Sequence, residues 1–376
     1  MRTLNAAIIG YGFMGRTHTY GYKTIPLYYK DLPYKINLAA ICSGTYEKAV
    51  KAADELGFKK AAREAEEIFE DPTIDMVNIC TPNHLHFEQL KLALKYGKNI
   101  YCDKPLTVNA WEAEELARLA KEKGVIAQVA FNYRFLTATL RAKQIIEEGG
   151  IGKPICYRAS YLHSGSVSPD KAAGWKQLAK YGGVVIVDLG SHIIDLIYYL
   201  LGNYSEISAE TTILYPTRKD KTGEIVVVDA EDSFTMMTRM ENGCKGTIEA
   251  SKIATGIDDE LRFEIHGEKG AVRFNLMQPN YLEYFSADEN DMPYGGNSGF
   301  KKIACVQRYE SPAGVLPSVK NSIGWLRGHV HSLYKFTESV YNNTPASPSF
   351  EEGAYIQKVM EATRQSAGTG SWVGIE

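Results

Sequence analysis

Residues 5–15, Asn-Ala-Ala-Ile-Ile-Gly10-Tyr-Gly12-Phe13-Met14-Gly15, constrain the chain more than any other stretch. A short apolar strand runs directly into Gly-x-Gly-x-x-Gly, which opens a helix. Gly10 permits a tight turn, Gly12 lets the backbone approach a pyrophosphate, and Gly15 lets the helix pack closely on the strand. The helix N-terminus offers N–H groups and a partial positive charge to the phosphate. In this context the glycines favour a dinucleotide site over a structural turn, with Phe13 and Met14 carried inside it.

Strands and helices then alternate. Strands are expected at 35–42, 76–80, 98–102 and 125–130, with helices at 46–56, 85–96 and 110–123. Residues 20–34, with Pro26 and Pro33, read as a helix extension plus loop. This alternation predicts a doubly wound parallel sheet. Composition changes after the segment 131–135, which ends the fifth strand, so two domains are expected, 1–132 and 133–376. The second opens with a helix at 137–148 and a strand at 155–162. A polar loop at 164–181 carries Trp175. Repeated strands follow at 208–214, 225–228, 233–240, 246–251, 261–266 and 271–275. A long loop at 288–325 and closing helices at 326–341 and 351–366 complete it. The second domain is thus expected to be α+β, with a large, mostly antiparallel sheet. One face packs on helices that include 186–201, and the other is open to a second copy of the chain.

Composition excludes several classes. At 376 residues the chain is 44% hydrophobic and 23% charged, as an ordinary globular protein is. Net charge is −3 and no long basic run exists, which argues against nucleic acid as a partner. No segment of about 18 apolar residues appears, so no membrane span is expected. The N-terminal stretch lacks the pattern of a signal peptide. The six cysteines form no Cys-x-x-Cys pair, and three of them end apolar runs. Reduced thiols in a cytoplasmic protein, without structural zinc, are expected.

Several polar residues fall at strand ends, where open α/β sheets place their ligands. Asp103-Lys104-Pro105 follows the fourth strand, and the proline biases Lys104 to extended geometry. Thr81-Pro82-Asn83-His84-Leu85-His86 follows the third, with Asn83 placed to cap a helix. His84 and His86 stand as ligands or bases, although helix-start histidines are more often structural. The second strand ends at Ser43, where an acid would hold the ribose hydroxyls of NAD, and no arginine follows to hold a 2′-phosphate. Cofactor choice stays open between NAD and NADP, with a slight lean to NAD. In 182–195, Asp188 and His192 are four apart and share a helix face, with Asp195 three further on. A carboxylate beside an imidazole suits a general base. The same spacing fits a metal pair, but third and fourth ligands are missing. Trp175 is a lid anchor, a sugar-pocket wall or a packing residue.

In combination these motifs resemble the inositol dehydrogenase and glucose–fructose oxidoreductase (Gfo/Idh/MocA) family over nearly the whole chain. The resemblance rests on Gly10-x-Gly12-x-x-Gly15, Thr81-Pro82-Asn83-x-x-His86, Asp103-Lys104-Pro105, Gly-Gly-x-x-x-x-Asp188-x-x-x-His192-x-x-Asp195, and the closing Ser349-Phe350-Glu-Glu-Gly353. The middle motif is usually Glu-Lys-Pro in the family; Asp103 is a departure.

The resemblance implies an N-terminal Rossmann domain, an open-faced second domain, and an active site in the crevice between them. It also implies homodimers or homotetramers through the open sheet. It casts Lys104, His192 and Asp188 as catalytic. Gly10, Gly12, Phe13, Met14, Gly15, Ser43, Thr81, Pro82, Asn83, His86, Asp103, Lys104 and Asn132 then line the cofactor. Asn132, Tyr133, Arg134 and Trp175 join the catalytic three around a sugar, anhydrosugar or polyol, with Arg134 alternatively on a cofactor phosphate. The implied reaction is hydride transfer between a nicotinamide and a hydroxyl or keto carbon. Two other readings stay open. One is an NAD-dependent glycosidase or lyase that oxidises the sugar transiently. The other is a silent dinucleotide-binding regulator, which has no need of Lys104, Asp188 and His192 together.

Overall fold

Six parallel strands form the first sheet of this computed structural model, which describes residues 1–179, 182–288 and 292–375. They are β1 (Arg2–Ile9), β2 (Tyr34–Cys42), β3 (Lys60–Ala62), β4 (Met76–Ile79), β5 (Asn99–Cys102) and β6 (Ala127–Val129). Their spatial order is β3-β2-β1-β4-β5-β6. Helices α1 (Phe13–Tyr28), α2 (Tyr46–Leu56), α3 (Glu66–Phe69), α4 (His86–Lys95) and α5 (Ala110–Lys123) connect them. All four residues of β4 are buried, as expected of a strand covered on both faces. The chain runs outward from β1 in one direction and resumes at β4 in the other. Ligand crevices of such sheets form at this reversal, beyond the carboxyl ends of the strands.

Two details of this sheet depart from expectation. β3 and α3 are short additions with no periodic signal of their own. Residues 131–135 do not extend β6, because a 3₁₀ turn takes over at Asn132–Phe135. The edge of β6 is covered instead: Val129 N–H donates to the Pro348 carbonyl at 2.9 Å.

The second unit opens with α6 (Thr137–Glu147) and β7 (Pro154–Leu162). A 3₁₀ turn at Trp175–Gln177 and a π turn at Ile186–Gly190 lead into α7 (Ser191–Leu201). Ten strands follow: β8 (Tyr204–Thr212), β9 (Thr217–Lys219), β10 (Ile225–Val227), β11 (Ser233–Met240), β12 (Lys245–Ser251), β13 (Glu260–Gly267), β14 (Gly270–Asn275), β15 (Tyr281–Ser286), β16 (Lys301–Ala304) and β17 (Val373–Gly374). Nine strands make one sheet in the order β16-β15-β14-β13-β7-β12-β11-β8-β17. Within this sheet, among the described residues, only β7 and β12 pair in parallel. Along β11, Phe234, Met236 and Met240 are buried while Thr235, Met237 and Arg239 are exposed. That period of two is the signature of a sheet with one open face. Ile193, Ile194, Leu196 and Ile197 of α7 are buried, and α7 packs on β7 and β12.

The strand expected at 225–228 lies outside this sheet. β10 pairs only with β9, in a separate hairpin. The Asp220 carboxylate closes its turn, accepting from the Thr222 and Glu224 N–H groups at 2.8 and 3.0 Å. The expected loop 288–325 contains β16. Lys180 and Tyr181 of the loop 164–181, and residues 289–291 of the later loop, lie outside the described residues.

The chain divides differently from the expected 1–132 and 133–376. One unit is Met1–Phe135 with Gln307–Gln357, the other Leu136–Val306 with Lys358–Glu376. The reason is α8 (Leu326–Asn342), which packs on α1 with Leu333 and Phe336 fully buried. Burying two such side chains contributes about 1.5–3 kcal/mol each. Gly21 makes the approach possible, because a Cβ there would meet Leu333 Cδ1 at 2.3 Å. α8 also satisfies two buried phenols. Tyr34 Oη lies 2.8 Å from Thr337 Oγ1, and Tyr101 Oη lies 2.7 Å from Ser332 Oγ. The final helix, α9 (Phe350–Thr369), begins in the first unit. Among the described residues, no helix is long and apolar enough to cross a membrane.

Candidate active site

In the first unit the glycine turn leaves the carboxyl end of β1. Gly10 has φ +93°, and a Cβ on it would stand 2.6 Å from the Cys80 carbonyl oxygen. A Cβ on Gly15 would stand 2.0 Å from the Gly10 oxygen. Gly12 is the opposite case, with nothing within 4 Å of its missing side chain. Two glycines are therefore demanded by the fold, while Gly12 leaves open space beside the first turn of α1. That is the cradle a pyrophosphate needs. Phe13 is 71% exposed, Met14 is half-buried, and Ser43 is half-buried just past β2.

Lys104 leaves the carboxyl end of β5, which is separated from β1 only by β4. Asp103 is anchored by its N–H to the Ile79 carbonyl at 2.9 Å, and its Oδ1 accepts the Lys104 N–H at 2.9 Å. The Lys104–Pro105 peptide is cis. The shorter Asp thus turns its carboxylate onto its own loop.

His86, read from the sequence as a cofactor contact, is fully buried and does something else. Its Nε2 lies 2.9 Å from the Thr81 carbonyl and its Nδ1 3.0 Å from that of Pro105. A neutral ring carries one N–H, so it donates to one of these carbonyls and packs its other edge against the second, filling the space between the turn after β4 and the turn that carries Lys104. Burial lowers its pKa, against the raising effect of the Asp103 charge and the backbone carbonyls. Asn83 does not cap α4: it starts a 3₁₀ turn, Asn83–Leu85, whose N-cap is Pro82. Thr81 Oγ1 donates to Gln89 Oε1 at 2.6 Å.

Beyond β6, Asn132 is 1% exposed and its Nδ2 has no hydrogen-bond partner among the described residues. A buried donor of that kind calls for an acceptor. With the space at Gly12, it fits this strand-end edge to a dinucleotide. Arg134 departs from the expected substrate or phosphate contact. Its guanidinium is 3% exposed and meets Glu352 Oε1 at 2.5 Å. Burial raises the Glu352 pKa, but the Arg134 charge and hydrogen bond outweigh that and hold it below the usual range. Tyr133 Oη accepts from Trp325 Nε1 at 3.1 Å, and Trp325 in turn stacks on Phe13 at 5.7 Å. Sequence reasoning missed Trp325, which nothing local marks as a neighbour of the glycine turn.

In the second unit the Asp188 carboxylate meets two ammonium groups, Lys176 Nζ at 2.8 Å and Lys252 Nζ at 3.5 Å. Lys252 is almost buried and also donates to the Gly183 carbonyl at 2.8 Å. Neither lysine was anticipated, because they come from a loop and a strand end remote in sequence. Asp188 sits in the π turn and His192 in α7. A π turn widens the helix by a residue and is frequent at functional sites. Trp175 is half-exposed, with Lys176 Nζ 5.5 Å from its ring centroid. His192 meets the Tyr161 ring edge-on at 5.8 Å. Tyr161 also contacts His163, whose Nε2 lies 2.8 Å from Asp259 Oδ1. Burial raises the Asp259 pKa, but hydrogen bonds from His163 and Tyr161 hold it below the usual range. Among the described residues, no group of three or more His, Cys, Asp and Glu is arranged to hold a metal ion.

Comparison with known proteins bears on both units. Residues 4–131 match the oxidoreductase family with an NAD-binding Rossmann fold, and residues 139–273 match the GFO/IDH/MocA C-terminal domain. The chain is 31% identical to the levoglucosan dehydrogenase of Pseudarthrobacter phenanthrenivorans, covering 100% of this chain and 99% of that one. It is 30% identical to the scyllo-inositol 2-dehydrogenase (NAD(+)) of Bacillus subtilis, covering 76% of this chain and 77% of that one. A solved levoglucosan dehydrogenase in complex with NADH and levoglucosan has a TM-score of 0.94 at 31% identity, covering 100% of both chains.

Proposed function

The chain belongs to the GFO/IDH/MocA oxidoreductase family, and from that premise we propose which groups of this chain do which part of the reaction. It is an NAD(P)-dependent dehydrogenase or reductase of the sugar and polyol class. The substrate is a sugar, anhydrosugar or inositol-like polyol, oxidised at one hydroxyl carbon or reduced at the corresponding ketone. When bound, the dinucleotide exchanges a hydride with that carbon. Gly10, Gly12 and Gly15 would hold its pyrophosphate, and the Asn132 amide supplies a buried donor at the same edge.

The protein's own part concerns the oxygen. Lys104, as an ammonium, donates to the substrate oxygen and stabilises the charge that develops there. His192 takes the hydroxyl proton during oxidation and returns it during reduction. Asp188 holds a substrate hydroxyl, with Lys176 and Lys252 fixing the carboxylate. The observation that carries this reading is the placement of Lys104 and the glycine turn at the same edge of one parallel sheet. His86 packs against the lysine's turn.

Lys104→Ala is expected to lower turnover by roughly 10³-fold or more while dinucleotide affinity stays within about threefold. Turnover close to wild type would sink the assignment. A panel of inositols, anhydrosugars and aldoses with NAD and with NADP, followed at the nicotinamide absorbance, identifies the substrate. Release of a glycone without net reduction would favour the glycosidase reading instead.

The open face of the nine-stranded sheet is the surface we propose for homodimers or homotetramers. Its alternating outward residues include Thr235, Met237, Thr247 and Arg262. Sedimentation of wild type against Met237→Lys tests this, with a shift toward monomer expected and an unchanged monomer overturning it.

A further inference from the structure

The short strand β3 brings an arginine to the turn that follows β2. In the parallel pair, Ala40 lies opposite Lys60, Ile41 opposite Ala61 and Cys42 opposite Ala62. The next residues of the two strands are Ser43 and Arg63. Neighbouring strands run about 4.8 Å apart, so Arg63 emerges beside the residue that ends β2. Two contacts fix it there. The Cys42 thiol lies 3.7 Å from the Arg63 carbonyl. The Arg63 guanidinium carbon stands 4.0 Å from the ring centroid of Tyr46, the first residue of α2. The guanidinium therefore lies over the ring of Tyr46, the residue that follows the Ser43-Gly44-Thr45 turn, and Arg63 is exposed.

The acid nearest the guanidinium is Glu67: the Glu64 N–H bond first, then the Arg63 N–H bond and the Lys60 and Arg63 charges, hold its pKa below the usual range. Glu67 Oε1 accepts the Arg63 and Glu64 N–H groups at 3.0 and 3.1 Å, and Glu67 Oε2 lies 3.8 Å from Lys60 Nζ. Glu64 is exposed, and its charge raises the Cys42 thiol after burial has done so.

In doubly wound dinucleotide sites the residue ending the second strand faces the adenosine ribose. An acid there accepts from the 2′-hydroxyl and repels a 2′-phosphate, whereas a nearby arginine accommodates the phosphate. Here Ser43 offers an uncharged hydroxyl. Gly44 has nothing within 4 Å of its missing side chain, which leaves room for a phosphate. A guanidinium stacked on a ring still offers its N–H edge, which matches a phosphate in bidentate geometry.

We propose that Ser43, Gly44 and Arg63 form a binding site for the ribose 2′-phosphate, so that this chain takes NADP in preference to NAD. The arginine is supplied by the neighbouring strand, not by the turn after β2, where a lean to NAD would look for it. The inference rests on the dinucleotide site assigned above and adds the group that selects between the two dinucleotides.

Calorimetric titration of the full chain with 2′,5′-ADP and with ADP tests it without turnover. Wild type is expected to bind 2′,5′-ADP at least about tenfold more tightly, the size of one charge-assisted contact. Arg63→Ala should reduce that ratio to about twofold or less, with ADP affinity nearly unchanged, and Arg63→Lys should fall between them. Because Arg63 is exposed, these variants should fold, and matching circular dichroism would establish it. Equal affinities in wild type, or an unchanged ratio in Arg63→Ala, would overturn the proposal. Absence of binding by either nucleotide, NAD or NADP would strike the dinucleotide reading itself, independently of the Lys104 turnover test.

Discussion

The His86 Nδ1 and the Pro105 carbonyl oxygen lie 3.0 Å apart, and the other nitrogen of the same ring reaches Thr81. Two strand-end turns that carry family motifs are thereby held by one buried side chain. His86→Ala leaves whichever of the two carbonyls accepts the ring N–H without its donor, which costs about 2 kcal/mol. The expected result is a lower Tm and a reduced kcat, because the Lys104 turn loses its anchor, with dinucleotide affinity changed less than kcat. Thermal unfolding and steady-state kinetics on the same preparation check it. An unchanged kcat in a folded variant would remove His86 from the support of Lys104.

Gly10 and Gly12 belong to one motif but answer to different demands. Gly10→Ala places a side chain against the Cys80–Thr81 backbone at a positive φ, so it should destabilise the fold. The Cβ of Gly12→Val would have no protein atom within 4 Å. The variant should leave Tm within about 1–2 °C, since surface changes cost about 0.5 kcal/mol or less, and weaken dinucleotide binding by tenfold or more, on the order of 1.4 kcal/mol. Paired Tm and titration data for the two variants decide whether this separation is real.

Arg134 is committed to Glu352 inside the first unit. Arg134→Gln leaves a largely buried carboxylate without its charged partner, with the Ser347 hydroxyl and Ser349 N–H still donating to it, a loss of about 3 kcal/mol. The variant should fail in denaturant unfolding at pH 7. At a temperature where it is folded, its KM for sugar should match wild type. A raised KM without a stability change would return Arg134 to the substrate site.

Acid should weaken this fold before its carboxylates titrate. His18 is fully buried, with Cys80 Sγ 3.1 Å from Nδ1 and the Tyr101 ring edge-on at 5.0 Å. Burial pushes its pKa down from 6.5 to about 3. His329 and His331 shift the same way, chiefly by burial. Between about pH 6.5 and pH 3 the unfolded chain binds a proton at His18 that the folded chain refuses. Stability is therefore full above pH 6.5 and is lost as pH falls through that window, at up to about 1.4 kcal/mol per pH unit for each such group. Unfolding free energies at pH 7 and pH 5 measure the loss, and His18→Phe should reduce it. Equal stability at the two pH values would contradict the burial of these neutral rings.

Much of this was legible in the residues. The strand preceding Gly10 and the helix that opens at Phe13 are local, so their pattern carries the doubly wound sheet and the glycine turn. Lys104 is legible for the same reason, since Pro105 and the apolar run before it fix its place. What was hidden depends on pairing between distant segments. β3 has only three residues, too few for a periodic signal, yet its register brings Arg63 beside Ser43. Lys252 reaches Asp188 because β12 ends near the π turn. Arg134 read as a ligand contact because Glu352, which takes its charge, stands far down the chain. Ile225-Val226-Val227-Val228 is an unbroken apolar run like a buried strand, yet Ile225 and Val227 belong to an exposed hairpin. Short apolar runs do not reveal which sheet they join.

The return of Gln307–Gln357 to the first unit also governs the order of events during synthesis. A ribosome delivers all six parallel strands early. The buried partners of Tyr34 and Tyr101, and the carbonyl that covers the edge of β6, arrive only with Thr337, Ser332 and Pro348. Until then the face of α1 that receives Leu333 is bare, and all strands of the second unit's large sheet except β17 are already translated. Maturation of the N-terminal unit is thus delayed until the C-terminal part of the chain has emerged, and nascent chains halted before that point would present an apolar helix face to the chaperones around them.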